Sequence, residues 1–427
     1  MSLVDTAVIG RVSVNDLAGA GMGRSIGFTS VVVGMGVATA LEPLAAQAVG
    51  AREHGRAWQS FVTTLRAVML LWAPSMAVAF AVTCALPPLG VDAAVVSRVR
   101  LYLLGQAPGF AFMLAFLSAK TFLQAHGKTG PALVGSVVAN VINVFVSNLL
   151  VRGDDALRSV GLPGVGLPAL GALGGGIAFS IASLVLAGFV AAPTWRYRPA
   201  LEEASRGPDL VAEKVLLARV YRLGVPVGLQ MLAEMGIFSL VALLSGALGP
   251  EVASAHQVAI GMAAFTFMGA LGVSGATAVR VGHAIGAGRS PRRAGLLGIL
   301  LGGAVMIVGA AAFLAFPRVL VGAFTHDERV LAIGVDLVRI AALFQLFDGV
   351  QVVAAGALRG AGDVRFPFVA NVVAHWLVGF PIALTLGFVL HGGARGLWWG
   401  LTAGLVVVSV ALAARFGSIS RRAIARV

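Results

Sequence analysis

Long apolar runs separated by short polar elbows dominate this chain. Read by hydropathy and breakers, the runs fall near 1–10, 17–48, 57–86, 99–124, 131–151, 168–193, 219–247, 252–287, 293–316, 330–358, 366–390 and 396–415. A helix needs ~20 mostly apolar residues to cross a ~30 Å hydrocarbon core, and all but the first run meet that length. The elbows AREHGR, LPPLGVD, HGKTGP, VRGDDALRS, GAGRSPRR, FTHDER, GAGDVRFP and LHGGAR carry turn and charge signals. The pattern predicts an all-α polytopic membrane protein of about twelve transmembrane helices. The first span, Met1–Gly10, would rise only ~15 Å as a helix. Completing it would take about 20–30 further residues upstream, so the first helix is expected to be truncated here.

The pattern also repeats at a shift of roughly 235 positions. QAVGAREHGRA (47–57) matches HAIGAGRSPRRA (283–294), and LQAHGKTGPALVGSVVANV (123–141) matches LRGAGDVRFPFVANVVAHW (358–376). With six spans, an even number, in each repeat, both halves enter the membrane in the same direction. They are expected to form two six-helix bundles related by a pseudo-two-fold axis along the membrane normal. The expected division is an N-terminal bundle at 1–194, a cytoplasmic linker at 195–218, and a C-terminal bundle with its basic tail at 219–427. A short surface helix is expected in DLVAEKVLLARV at the end of the linker.

Composition supports the membrane reading. Hydrophobic residues make up 58% and charged residues 11%, against roughly 25% charged in soluble domains. Glycine, at 56 residues, suits close helix packing in lipid. The single cysteine, Cys84, excludes an internal disulfide. The formal net charge of +13 gathers on AREHGR, HGKTGP, the 195–218 linker, GAGRSPRR, GAGDVRFP and the tail RRAIAR. That one-sided placement marks the cytoplasmic face, puts the C-terminus there, and argues for a lipid bilayer rather than nucleic acid as partner.

Two carboxylates fall where a charge is expensive. Glu234 lies inside PVGLQMLAEMGIFSLVALL and Asp348 inside IAALFQLFDGVQVVAAGAL. A charge at mid-membrane costs at least ~2.5–3.5 kcal/mol on insertion scales, so such acids usually face a cavity and bind or relay something. Gln230 stands one turn before Glu234, and Gln345 and Gln351 flank Asp348 three residues to either side. Oxygen ligands from two helices could hold Na+; the same acids could instead carry protons. Interhelical hydrogen bonding is the alternative use of such groups. Asp5 is a third acid inside a span, and Asn143 and Ser147 form part of a polar stripe near 140–148. Glu42, before Pro43, is a candidate gate. Met231, Met235, Phe238, Met262 and Phe265 could line an adaptable substrate cavity or serve as core. There is no HExxH, P-loop lysine or GxSxG, so no enzyme site, cofactor or dedicated metal centre is expected beyond Na+ at Glu234 and Asp348.

Five stretches, VDTAVIGRVSVNDLAGAG, ALEPLAAQAVGAREHGRA, GVPVGLQMLAEMGIFSL, EVASAHQVAIG and FQLFDGVQVVAAGALRGAGDVR, resemble in this order the multidrug and toxic compound extrusion (MATE) family, in its NorM-like bacterial branch. The resemblance implies a two-bundle antiporter of the bacterial inner membrane. It would expel cationic or amphipathic drugs in exchange for Na+ or H+, without a cofactor, as a monomer. It places the family's acids on Asp5, Glu234 and Asp348, with Asn143 supporting the first. Ser147 stands where some relatives carry an aspartate. A lipid-linked oligosaccharide flippase of the same superfamily would need a cavity rich in Arg or Lys, and a membrane-embedded enzyme would need a clustered nucleophile or acid–base set.

Overall fold

Ser13 opens the first described helix. Its hydroxyl accepts from the backbone N–H groups of Asn15 and Asp16, the usual way to satisfy the orphan donors of a helix start. A computed structural model describes residues 8–10, 13–159, 161, 163, 164, 166–198 and 211–427. Its helices in chain order are α1 Val14–Thr39, α2 Leu41–Gly50, α3 His54–Cys84, α4 Ala93–Ala125, α5 Gly130–Arg152, α6 Asp154–Arg158, α7 Gly171–Trp195, α8 Glu213–Ala247, α9 Pro250–Gly286, α10 Arg292–Ala315, α11 Pro317–Gly322, α12 Glu328–Gly360, α13 Arg365–Val372, α14 Phe380–Leu384 and α15 Gly393–Ile419. Eleven candidate membrane spans are long and apolar enough among the described residues. The fold is all-α, as the sequence predicts. Of the run at 1–10, only Val8–Gly10 is described; Val8 and Ile9 pack with Ala20, Tyr102, Val151 and Ala172.

Of the stretch DLVAEKVLLARV, the first two residues lie outside the described residues, and the rest forms no separate surface helix. From Glu213 the chain continues into α8 without a break, because no glycine or proline interrupts it before Gly224. α8 also runs unbroken through Pro226. Proline acts more visibly at Pro381: the span Arg365–Val389 passes through π-helical turns at Val373–Gly379 and Thr385–Val389 on either side of α14. A missing N–H frees carbonyls that wider turns can re-pair.

The chain forms two compact units. The first comprises Met1–Leu41 and His54–Gly228, the second Glu42–Glu53 and Leu229–Val427. In the first, α4 packs on α1, α3 and α7, and α7 on α5. Asp16 is buried there: its Oδ1 accepts from Ala172 N at 2.9 Å near the start of α7 and lies 3.6 Å from Arg98 Nε. Cys84 is exposed, with its Sγ 3.8 Å from an Arg100 nitrogen.

In the second unit α12 is the central element, packed on α9, α10 and α15. Phe344, Trp398 and Phe416 fill its core. The helix α2 belongs to this unit and lies against α9 with almost no space between backbones. A Cβ at Gly286 would stand 2.0 Å from Gln47 O, and one at Gly50 2.5 Å from His283 O. Gly286→Ala is therefore expected to destabilise the protein by ~1–3 kcal/mol through overpacking. Gly272→Ala, on the same helix with nothing within 4 Å, should be neutral or slightly stabilising. Thermal unfolding of the two variants in detergent checks the difference.

Candidate cation site

Glu234 sits on α8 and Asp348 on α12, each at least ~18 Å from either end of its helix at ~1.5 Å per residue. Both belong to the second unit, and Gln351, three residues after Asp348, reaches Glu234. Three helices serve the Glu234 carboxylate. Gln230 Nε2, one turn back on α8, donates to Oε1 at 3.1 Å. Gln351 Nε2 from α12 donates to the same oxygen at 3.1 Å. Asn371 Nδ2 from α13 donates to it as well, in a short hydrogen bond. The second oxygen, Oε2, and the whole Asp348 carboxylate receive no hydrogen bond among the described residues. The Trp376 indole anchors the same region by donating to Ala233 O at 3.2 Å.

The site thus has donors crowded on one carboxylate oxygen and electron-rich oxygens left over beside them. A carboxylate oxygen has two lone pairs for three N–H groups here. The remaining oxygens of two acids, from two helices, form a hard-oxygen set suited to Na+ or to a proton. No group of three or more His, Cys, Asp or Glu able to hold a metal exists among the described residues, so the set is built from two acids and neighbouring amides.

The other predicted residues divide clearly. Gln351, three residues after Asp348, turns to Glu234 rather than to its neighbour. Gln345 is fully buried and pairs elsewhere: its Oε1 accepts from Thr266 Oγ1 at 2.6 Å, while its Nε2 has no partner among the described residues. Met231 and Met235 are half-buried beside Glu234 on α8. Phe238 packs edge-on against Phe344, and Met262 lies in the core. Phe265 is 82% exposed. In the first unit Asn143 and Ser147 are fully buried on one face of α5, and none of their side-chain polar atoms has a partner among the described residues. Asp5 lies outside the described residues.

Glu42, on α2, meets Arg359, near the end of α12, with Oε2 3.0 Å from Nε; their side chains are only 12% and 13% exposed. Arg359 also donates to Ser274 Oγ at 3.2 Å. Around them Gln47 Nε2 donates to Gly360 O at 3.1 Å and Gln47 Oε1 accepts from Val427 N at 2.9 Å.

Sequence reasoning missed Asn371 and Arg359. Asn371 reads as part of an elbow-proximal repeat, and Arg359 as one of many elbow cations. An amide in the middle of FPFVANVVAHW was the available signal.

The MatE family model matches residues 1–149 and 226–385. The chain belongs to the MatE family. Among curated relatives, this MatE protein is 36% identical to a "probable multidrug resistance protein NorM" of Deinococcus radiodurans, over 97% of this chain and 90% of the relative. It is 30% identical to the "multidrug resistance protein NorM" of Vibrio vulnificus, over 99% and 92%. Among solved structures, a Vibrio cholerae MATE transporter superposes with a TM-score of 0.87 at 18% identity, covering 98% of this chain and 92% of the other. A eukaryotic MATE transporter gives 0.82 at 23% identity, covering 99% and 93%. This MatE protein is a multi-pass membrane transporter and not an enzyme.

Proposed function

We propose that this chain is a secondary antiporter that exports cationic or amphipathic drugs in exchange for Na+ or H+. Its setting would be the bacterial cytoplasmic membrane, with the C-terminus inside. The observation that carries the coupling is the pair of acids in the second unit: Glu234 with one oxygen saturated by amides, and Asp348 with no hydrogen bond among the described residues. Acids held at mid-membrane depth usually mark a cation or proton pathway. The drug part of the reading is supported by the names of the relatives, multidrug resistance proteins, and by Met231 and Met235 beside Glu234, side chains that adapt to varied apolar partners.

A cation and a drug that favour different conformations exchange because each shifts the equilibrium by its differential affinity. In the first unit Asn143 and Ser147 are buried without partners among the described residues, which fits a second polar site in that unit. Glu42 acts in this reading as a latch, its ion pair with Arg359 breaking as the α2 segment moves.

The test is efflux of a fluorescent organic cation from liposomes under an imposed Na+ gradient and, separately, an imposed pH gradient. Efflux under one of them, abolished by collapsing it, is expected. Dye movement indifferent to both would defeat the antiport reading.

A further inference from the structure

Asn371 is fully buried in a span, and only half of its amide is used. Nδ2 donates to Glu234 Oε1, whereas Oδ1 has no partner among the described residues. Of the three amides around Glu234, only Asn371 has a fully buried carbonyl oxygen without a hydrogen bond. It is also the one contributed by a third helix, since Gln230 lies on the helix of Glu234 and Gln351 on that of Asp348. An amide buried for packing alone would be expected to satisfy both ends. Here the orphan oxygen lies within one side-chain amide of a carboxylate.

An asparagine amide is nearly symmetric in shape. Half a turn about its terminal bond exchanges Nδ2 and Oδ1 without changing volume. Which atom faces Glu234 depends on the charge there. A bare carboxylate favours the N–H. A cation held between Glu234 and Asp348 repels that N–H and attracts the carbonyl oxygen, and a proton on Glu234 calls for an acceptor in the same way. Asn371 lies two residues before the start of the π-helical turn Val373–Gly379, and π-turns recur at functional positions. Trp376 in that turn donates to Ala233 O and packs on Gly236, next to Glu234.

We propose that Asn371 is a positioning residue and oxygen arm of the Glu234–Asp348 site, donating its N–H to the bare carboxylate of the empty site and turning Oδ1 inward when Na+ binds, so that the Arg365–Val389 span senses occupancy. The inference rests on the cation-coupling reading of Glu234.

The built-in Trp376 supplies a readout other than transport. Purified protein is titrated with Na+ at fixed pH while tryptophan emission is followed, with Trp376→Phe identifying the component that belongs to this indole. Asn371→Leu, similar in size but without oxygen, should raise the Na+ midpoint at least ~10-fold. Asn371→Asp, which keeps an oxygen and adds charge, should lower it. Opposite signs are not expected from a residue that only packs, because both changes would then weaken the site alike. If Asn371→Leu leaves the midpoint unchanged while Glu234→Gln removes the response, Asn371 is no arm of the site and the coupling reading survives. If Glu234→Gln leaves the Na+ response intact, the coupling reading itself fails. Should Asn371→Leu not fold, Asn371→Asp decides alone, and an unchanged or weakened midpoint overturns the proposal.

Discussion

Glu234→Gln and Asp348→Asn, made one at a time, are each expected to cut gradient-driven efflux at least ~10-fold, the equivalent of ~1.4 kcal/mol. The double variant should be little worse than either, because residues that act as one unit are not additive. Both substitutions keep size and hydrogen-bonding capacity, so the fold is expected to survive. Glu234→Gln leaves Gln230, Gln351 and Asn371 a carbonyl oxygen to donate to in place of Oε1. Asp348→Asn disturbs no hydrogen bond among the described residues. The measurement is dye efflux from proteoliposomes with matched insertion and size-exclusion profiles. Wild-type rates in both single variants would remove these acids from the mechanism and turn attention to Asp5, Asn143 and Ser147.

The second large effect is expected at Arg359. The Glu42–Arg359 pair is almost enclosed, and breaking a buried pair by deleting one partner typically costs ~3–5 kcal/mol, because the other charge stays behind uncompensated. Arg359→Ala also strips a donor from Ser274 Oγ. A substantially lowered melting temperature in detergent is expected. Reactivity towards a thiol reagent should also rise for a cysteine placed at Ala45, a residue of α2 that is fully buried. The exchange Glu42→Arg with Arg359→Glu should recover part of the loss, since the pair is re-formed with its sense reversed. If Arg359→Ala melts like wild type and Ala45→Cys stays unreactive, the latch assigned to Glu42 does not exist.

Much of this was legible in the sequence. The spans follow from apolar length alone, because a helix in lipid must be about one bilayer long and its ends must be polar. Glu234 and Asp348 were legible for the same reason: an acid amid twenty apolar residues stands out. The partners were less legible. Gln351 looked like a companion of Asp348 by spacing, but spacing fixes only the face of a helix, and the face of α12 that carries Gln351 meets α8. Asn371 reached the site from a helix more than a hundred residues away, a contact no local pattern encodes. Gln345 shared the spacing of a ligand yet found a hydroxyl, Thr266, on another helix. The surface helix expected before α8 failed because an amphipathic stretch with no breaker simply lengthens the helix that follows.

The placement of α2 has a consequence for how the protein is made. Glu42 and Arg359 are 317 positions apart, and Gln47 and Val427 are 380 apart. At ~5–20 residues per second a ribosome delivers Arg359 roughly 15–60 s after Glu42. Through that interval α2, with its acid and its amide, is inserted but lacks the helices it will pack on. Contacts of such sequence separation are slow to form and leave intermediates open to misassembly. The two halves of the gene are therefore not two independently folding pieces. Cutting the chain in the 199–212 region and co-expressing the fragments would give the second fragment every helix of its unit except the one that seals Arg359, which would have to be supplied by the first.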